Sequence, residues 1–348
     1  MDDLDKQLLN RIQSDFPLVA RPFAELGLSL GLSEDEVVER MRALKAGRIV
    51  RQISAIFDTK SLGYKSSLVA MRVDPARITE AARIINEHPG VTHNYERNHE
   101  YNLWFTIAVP PTSDLEAVVQ RIHELAGAEV TRVMYTLRLF KIGVNLDMTG
   151  QRPADAIAAP EYREQDRVRA RDFTVTERDK AVIRELQEDL PIEPRPFELL
   201  AERIGLDEDG LFAVMRSLVE RGFMRRMAAI LYHRRAGFRA NGMGVWAVSE
   251  DDVVEIGEQM ASFANVSHCY RRPTYPDWPY NVFTMVHGTS VEQCEEILGA
   301  ISRTTGVTEY ISLYSTREYK KTRTKFYTPA YEEWEAQYMP QPETVPAT

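Results

Sequence analysis

Two stretches decide how this chain is read: VTHNYERNHEYNLWFTIAV over residues 91–109 and VSHCYRRPTYPDWPYNVFTM over residues 266–285. Each sets a histidine after a short apolar start, follows it with a tyrosine and an arginine, and returns through a Tyr-Asn pair into an apolar run. The offset between them, about 174 residues, recurs outward in both directions. Leu4-Asp5-Lys6 is echoed by Arg178-Asp179-Lys180, Arg21-Pro22-Phe23 by Arg195-Pro196-Phe197, and Gly31-Leu32-Ser33-Glu34-Asp35 by Gly205-Leu206-Asp207-Glu208-Asp209. A unit of this length is too long for a solenoid repeat, so the chain is expected to be a two-part module written twice. The joint is expected at 146–173, where Gly150, Pro153, Pro160, an Ala-rich patch and the mixed charges of EYREQDRVRARD break all apolar periodicity.

Within each copy the period of the apolar residues changes once. Leu4, Leu8, Leu9 and Ile12 recur at helical spacing, and two more helical patterns follow at 21–30 and 33–45, the last opened by Ser33 with Glu36 three residues on, a capping box. That order predicts a helix-turn-helix over 1–60, with the run from Ile49 to Phe57 as a wing. Gly47 and Gly222 then read as C-cap residues. A strand at 67–73, a helix at 77–88, strands at 91–97 and 101–109, a helix at 114–126 and a last strand at 130–139 give βαββαβ, the ferredoxin-like order, over 61–145. The second copy repeats this plan as a helix-turn-helix over 174–234 and a ferredoxin-like domain over 235–327. The remaining residues, 328–348, carry Pro329, Pro340, Pro342 and Pro346 and read as a tail that wraps the surface or frays. The fold class is therefore α+β, a tandem duplication.

Composition narrows the function. In 348 residues, 44% hydrophobic and 27% charged, no apolar stretch reaches the roughly 20 residues of a membrane helix. The 43 basic against 52 acidic residues leave a net charge of −9, the wrong sign for a surface that attracts nucleic acid as a whole. Met1 leads into the acidic MDDLDKQLL without a secretory pattern, and two cysteines make no disulfide framework, so the expected location is the cytoplasm. No Gly-rich phosphate loop and no zinc spacing is present.

A helix-turn-helix followed by βαββαβ resembles the Lrp/AsnC family of transcriptional regulators over nearly the whole of each half. Two features argue against a regulator. The recognition-like helices open with Ser33-Glu34-Asp35-Glu36 and Asp207-Glu208-Asp209, where DNA phosphates would lie, although acidic first turns also simply satisfy a helix dipole. The His-centred segments, in turn, resemble the signature segments of the sirohaem decarboxylases, which share the Lrp/AsnC fold and normally combine two related subunits. That resemblance implies both kinds of half fused on one chain. It also implies removal of the acetate carboxyls at ring positions 12 and 18 of sirohaem, giving 12,18-didecarboxysirohaem, in haem d1 or alternative haem biosynthesis. The halves are expected to pair within the chain as a pseudo-dimer, with a homodimer of whole chains left open, and DNA binding is not expected. The runner-up reading is an Lrp/AsnC-type regulator responsive to haem, and the third a tetrapyrrole carrier.

The residues suit a carboxylate-ringed macrocycle. Arginines supply bidentate partners and aromatics supply walls: Arg48 and Arg51 beside the first wing, Arg225 and Arg226 beside the second, and Arg97, Arg271 and Arg272 among Tyr95, Trp104, Tyr270, Tyr275 and Trp278. Loss of CO2 from a pyrrole acetate needs a general acid, for which His93 and His99 are the candidates, their even separation placing both on one face if the segment is extended. His268, equivalent to His93, is expected to bind substrate, and either His93 or His268 would ligate the substrate iron. The protein needs no metal or cofactor of its own on this reading. His287 is expected to cap or pack, and His88, His123 and His233 to be structural or exposed.

Overall fold

The computed structural model describes residues 1–143, 153–158, 173–232 and 240–340, which form two compact units. Of the expected linker, only 153–158 and 173 fall within the described residues, and His233 lies outside them.

The first unit joins both helix-turn-helix segments, with residues 325–327. Helices α1 (Asp3–Ser14), α2 (Pro22–Leu30) and α3 (Glu34–Ala46) come from one copy, and α6 (Glu177–Leu186), α7 (Pro196–Arg203) and α8 (Glu208–Glu220) from the other. Phe16 is fully buried, edge-on to Phe23 at 5.7 Å and to Phe197 of the other copy at 6.5 Å, so the two copies share one aromatic core. Each copy was expected to carry its own wing. Instead, β1 (Val50–Phe57) pairs antiparallel with β7 (Met224–Leu231), because each strand alone would leave a row of backbone groups unpaired and the duplicated strand is the nearest partner. The acidic first turns are consumed locally. Glu36 closes the capping box with Ser33, Asp207 accepts from the Gly210 N–H, Glu34 pairs with Arg21, and Glu208 with Arg195 at 2.6 Å.

The second unit is built on one nine-stranded sheet. From the first copy come β2 (Lys65–Arg72), α4 (Ile78–Glu87), β3 (Val91–Arg97), β4 (Leu103–Val109), α5 (Leu115–Ala126), β5 (Val130–Met134) and β6 (Arg138–Ile142). The second copy supplies β8 (Ala240–Trp246), α9 (Val253–Ser262), β9 (Val266–Arg271), β10 (Val282–Gly288), α10 (Val291–Thr305) and β11 (Tyr310–Lys321). The strand order is β5-β2-β4-β3-β11-β8-β10-β9-β6. Two strands cross between copies. β11 pairs with β8 through Tyr310–Tyr314 and then, from Ser315 on, with β3 of the first copy, while β6 leaves the first copy to pair with β9. The expected single strand over 130–139 is thus two strands that serve different copies.

Three apolar clusters follow from this topology. One lies under α4 and α5 and one under α9 and α10, where Phe140 of β6 presses on Gly257 of α9. The third fills the face turned away from the helices and mixes the copies: Trp104, Tyr101 and Met134 with Met243, Trp278, Phe283 and Leu313.

Residues 330–338, expected to wrap or fray, form helix α11 (Ala330–Tyr338). Tyr331, Trp334 and Tyr338 repeat at helical spacing, a stripe that the surrounding prolines obscure. Trp334 packs on the first copy's core and meets the His88 ring edge-on at 4.5 Å. His88 is 1% exposed, its Nδ1 accepts the Gly90 N–H at 3.0 Å, and burial, reinforced by Lys320, pushes its pKa down to about 3. The imidazole is therefore neutral when folded, and the unfolded chain binds the extra proton between pH 6.5 and 3, so stability falls as the pH drops through that window. Chemical denaturation at pH 7 and pH 5 should show His88 withdrawing about 2 kcal/mol, a loss that His88→Asn removes. Identical pH slopes for the two proteins would mean that His88 is not held neutral.

Candidate active site

The face of the sheet turned away from the helices collects the histidines, and the two-residue period of the strands explains which neighbours join them. On β3, His93, Tyr95 and Arg97 share that face, while Asn94 turns to α4, its side-chain amide donating to the Ala82 carbonyl at 3.3 Å. Trp104, opposite Tyr95 on β4, lies on the same face. The second copy repeats the set with His268, Tyr270 and Arg272, and Phe283 opposite Tyr270 on β10.

The repetition extends to individual contacts. His93 Nδ1 shares a hydrogen bond with the Thr92 hydroxyl at 3.0 Å, and His268 Nδ1 with that of Ser267 at 2.9 Å. Each histidine ring lies 6.1 Å from the tyrosine two residues on. Arg97 donates to the Leu313 carbonyl at 3.0 Å and lies over Tyr95 and Trp104; Arg272 donates to the Met134 carbonyl and lies over Tyr270 and Phe283.

Arg97 and Arg272 are only 6% and 7% exposed. Burial pushes both down to about 10, so they stay charged at neutral pH, yet neither has a carboxylate in contact among the described residues. The buried Nε–H of each meets no acceptor there either. Two buried guanidinium groups that face no carboxylate among the described residues are suited to an anionic ligand. His268 is pushed down to about 4, first by burial and then by repulsion from His93, Arg272 and Lys141. His268 is therefore neutral at neutral pH.

The other expected residues do not all share these strand faces. Strand β3 ends at Arg97, so the segment from His93 to His99 is not extended throughout and the same-face argument fails. His99 sits in the following bend, its Nδ1 accepting the Tyr101 N–H at 3.0 Å, its ring stacked on Tyr101 and edge-on to Trp278 at 5.4 Å. Beside it, the Tyr101 hydroxyl donates to Asp277, which Arg132 grips through two nitrogens. Arg271 points to the opposite face from His268 and pairs with Glu250. Cys269 faces the helices and packs.

The four wing arginines belong to the first unit. Arg225 is committed to a 2.5 Å ion pair with the buried Asp58. Arg226 lies opposite Ile56, whereas Arg51 sits at the other end of the ribbon, roughly 16 Å away at strand rise. Arg48 has a positive φ of 53° in the turn after α3. They do not converge on one point, because pairing β1 with β7 sets the two wing starts at opposite ends.

Two groups were missed from sequence. Lys321 lies directly opposite His93 across β3 and β11, where the second copy has Ile142 opposite His268; the dense basic run Arg317, Lys320, Lys321, Arg323 and Lys325 was the available signal. His287, expected to cap or pack, bonds Ser267 beside His268. A cavity of about 520 Å³ lies apart from this set, lined by residues that include Glu116, Gln120, Thr131, Tyr135 and Tyr275. Its lining has no histidine or arginine, and Glu116 would repel a carboxylate ligand, so the buried arginines mark the better site.

The paired faces have counterparts in known proteins. The family described as AsnC-like ligand binding domain matches residues 61–141 and 235–320, and the one described as siroheme decarboxylase NirDL-like HTH domain matches 5–51 and 179–225. A protein named siroheme decarboxylase from Hydrogenobacter thermophilus is 41% identical over 335 residues, 96% of this chain and 97% of its own length. The alpha subunit of a siroheme decarboxylase from Desulfovibrio desulfuricans is 43% identical over 42% of this chain and 85% of its own length. A crystal structure of the siroheme decarboxylase NirDL, in co-complex with an iron-uroporphyrin III analogue, superposes with a TM-score of 0.75 at 35% identity, covering 97% of this chain and 98% of that one.

If the buried arginines await an anion, replacing one by an apolar side chain of similar length should not destabilise the empty protein. Arg97→Met and Arg272→Met are expected to unfold at the same or higher denaturant concentration than the parent, with a gain of up to about 3 kcal/mol. A loss above about 2 kcal/mol in both would assign the guanidinium groups to the fold rather than to a ligand.

Proposed function

Since this chain belongs to the sirohaem decarboxylase family, we infer that it is a carboxy-lyase that releases carboxyl groups of sirohaem as CO2 in haem biosynthesis. The carboxyls lost are the acetates at ring positions 12 and 18, and the product is 12,18-didecarboxysirohaem. The observation that supports this reading most is the pair of buried, uncompensated arginines, Arg97 and Arg272, on the face that carries His93 and His268. A macrocycle ringed by carboxylates supplies the anions such a site lacks, and Tyr95, Trp104 and Tyr270 supply its walls.

Roles divide by environment. His268, neutral and half-buried, carries a nitrogen lone pair suited to the substrate iron. His93 is the general acid. Loss of CO2 from a ring acetate leaves an electron pair on the methylene carbon, which the macrocycle accepts once the ring is protonated. Each acetate arm therefore loses its carboxyl as one CO2, takes up one proton and becomes a methyl group. His93 delivers that proton, and Lys321 beside it helps hold a carboxylate. The ring itself is the electron sink, so the reaction calls on no further cofactor. His99, held by Tyr101 and Trp278, forms part of the wall rather than the acid.

Anaerobic incubation of the chain with sirohaem, followed by mass analysis of the extracted tetrapyrrole, should show loss of two CO2. His93→Ala should lower kcat by about 100- to 10,000-fold, while His99→Ala should mainly raise KM. Sirohaem recovered intact, with a reference decarboxylase active in the same buffer, would refute the assignment.

A further inference from the structure

The hydroxyl of Ser267 has three partners: Nδ1 of His268 at 2.9 Å, Nε2 of His287 at 2.7 Å and the carbonyl oxygen of Met285 at 3.2 Å. A serine hydroxyl offers one proton and two lone pairs. The Met285 carbonyl can only accept, so it takes the hydroxyl proton. Both imidazole nitrogens must then donate. His268 is fixed as the tautomer with hydrogen on Nδ1 and a lone pair on Nε2. His287 carries hydrogen on Nε2, and its Nδ1 lies 2.8 Å from Oδ1 of Asn241. A charged His287 donates from Nδ1 to that oxygen, and a neutral one accepts from the amide nitrogen once the Asn241 side chain is turned over.

We propose that His287, anchored by Asn241 and acting through Ser267, is a positioning residue that sets the tautomer of His268 and so presents the Nε2 lone pair to the substrate iron. The proposal rests on the reading of His268 as the iron ligand. The device belongs to one copy alone. Met285 lies opposite His268 as Thr106 lies opposite His93, and two residues further along the strand the second copy has His287 where the first has Ala108. Groups bonded to the far nitrogen of a metal-binding histidine fix its orientation and raise its basicity, and losing one costs about 10- to 100-fold in affinity or activity.

The test uses the full chain and four variants: Ser267→Ala and His287→Leu, which delete the bonds, and Ser267→Thr and His287→Gln, which keep an oxygen or an N–H donor in place. Thermal unfolding screens each for folding. Two readouts follow, ¹⁵N NMR of the His268 ring without tetrapyrrole, and absorbance during titration with ferric uroporphyrin III. The expected result is an Nδ1–H tautomer in the parent and the conservative variants, mixed tautomers in the deletions, and a histidine-ligated iron spectrum whose affinity falls 10- to 100-fold in the deletions only. An Nε2–H tautomer in the parent, or folded deletions that keep the parent's tautomer and affinity, would overturn the relay. A parent chain with the Nδ1–H tautomer but no histidine-ligated iron would instead overturn the ligand reading beneath it.

Discussion

The backbone pairing of β11 with two partners is the constraint on which the second unit depends. A strand that continued along β8 alone would leave β3 as an open edge, and β9 would be equally exposed without β6. By running from β8 onto β3, while β6 runs onto β9, each copy closes the other's edge. Because side chains alternate along a strand, this pairing also decides which residues share the interior face. It aligns His93, Tyr95 and Arg97 with one copy's share of that face, and His268, Tyr270 and Arg272 with the other's. The charged site and the mixed aromatic cluster of Trp104, Trp278 and Phe283 are thus two consequences of one register.

Duplication produced the frame, and divergence produced the chemistry. The same arginine-to-carbonyl bond, hydroxyl-to-histidine bond and histidine–tyrosine spacing recur in both copies. Some of the departures lie beside the histidines. Lys321 opposes His93 where Ile142 opposes His268, and His287 replaces the equivalent of Ala108. The second copy also carries the longer Pro-rich turn that delivers Trp278 and Asp277 to the first copy's Tyr101 and His99. His93 faces Lys321 across the strands, whereas His268 faces Ile142 and is braced through Ser267 by His287, a difference that suits unlike roles on one substrate.

The repeat, the element order and the paired histidine faces were legible because they rest on local signals: caps, helical spacing and strand alternation. The partner of a strand is not local, so neither the β1–β7 ribbon nor the split of 130–142 into β5 and β6 could be read from periodicity. The wing arginines lie on or beside that ribbon, and its antiparallel register, not their spacing in sequence, fixes where each one stands. Arg271 was a different failure, since alternation alone sets it opposite His268 and Arg272. The even spacing of His93 and His99 does not settle a shared face because β3 ends at Arg97, and prolines on either side of its aromatic stripe obscure α11 in the sequence.

On our proposal, both copies of one chain build a single tetrapyrrole site around His93 and His268. Crystals of the chain grown with ferric uroporphyrin III and measured at the iron absorption edge would locate that site directly. The expected result is one iron per chain, bonded to His268 Nε2, with Arg97 and Arg272 on the ring carboxylates and His93 at its edge. An iron in each copy, or one seated in the cavity beside Glu116 and Tyr135, would contradict it.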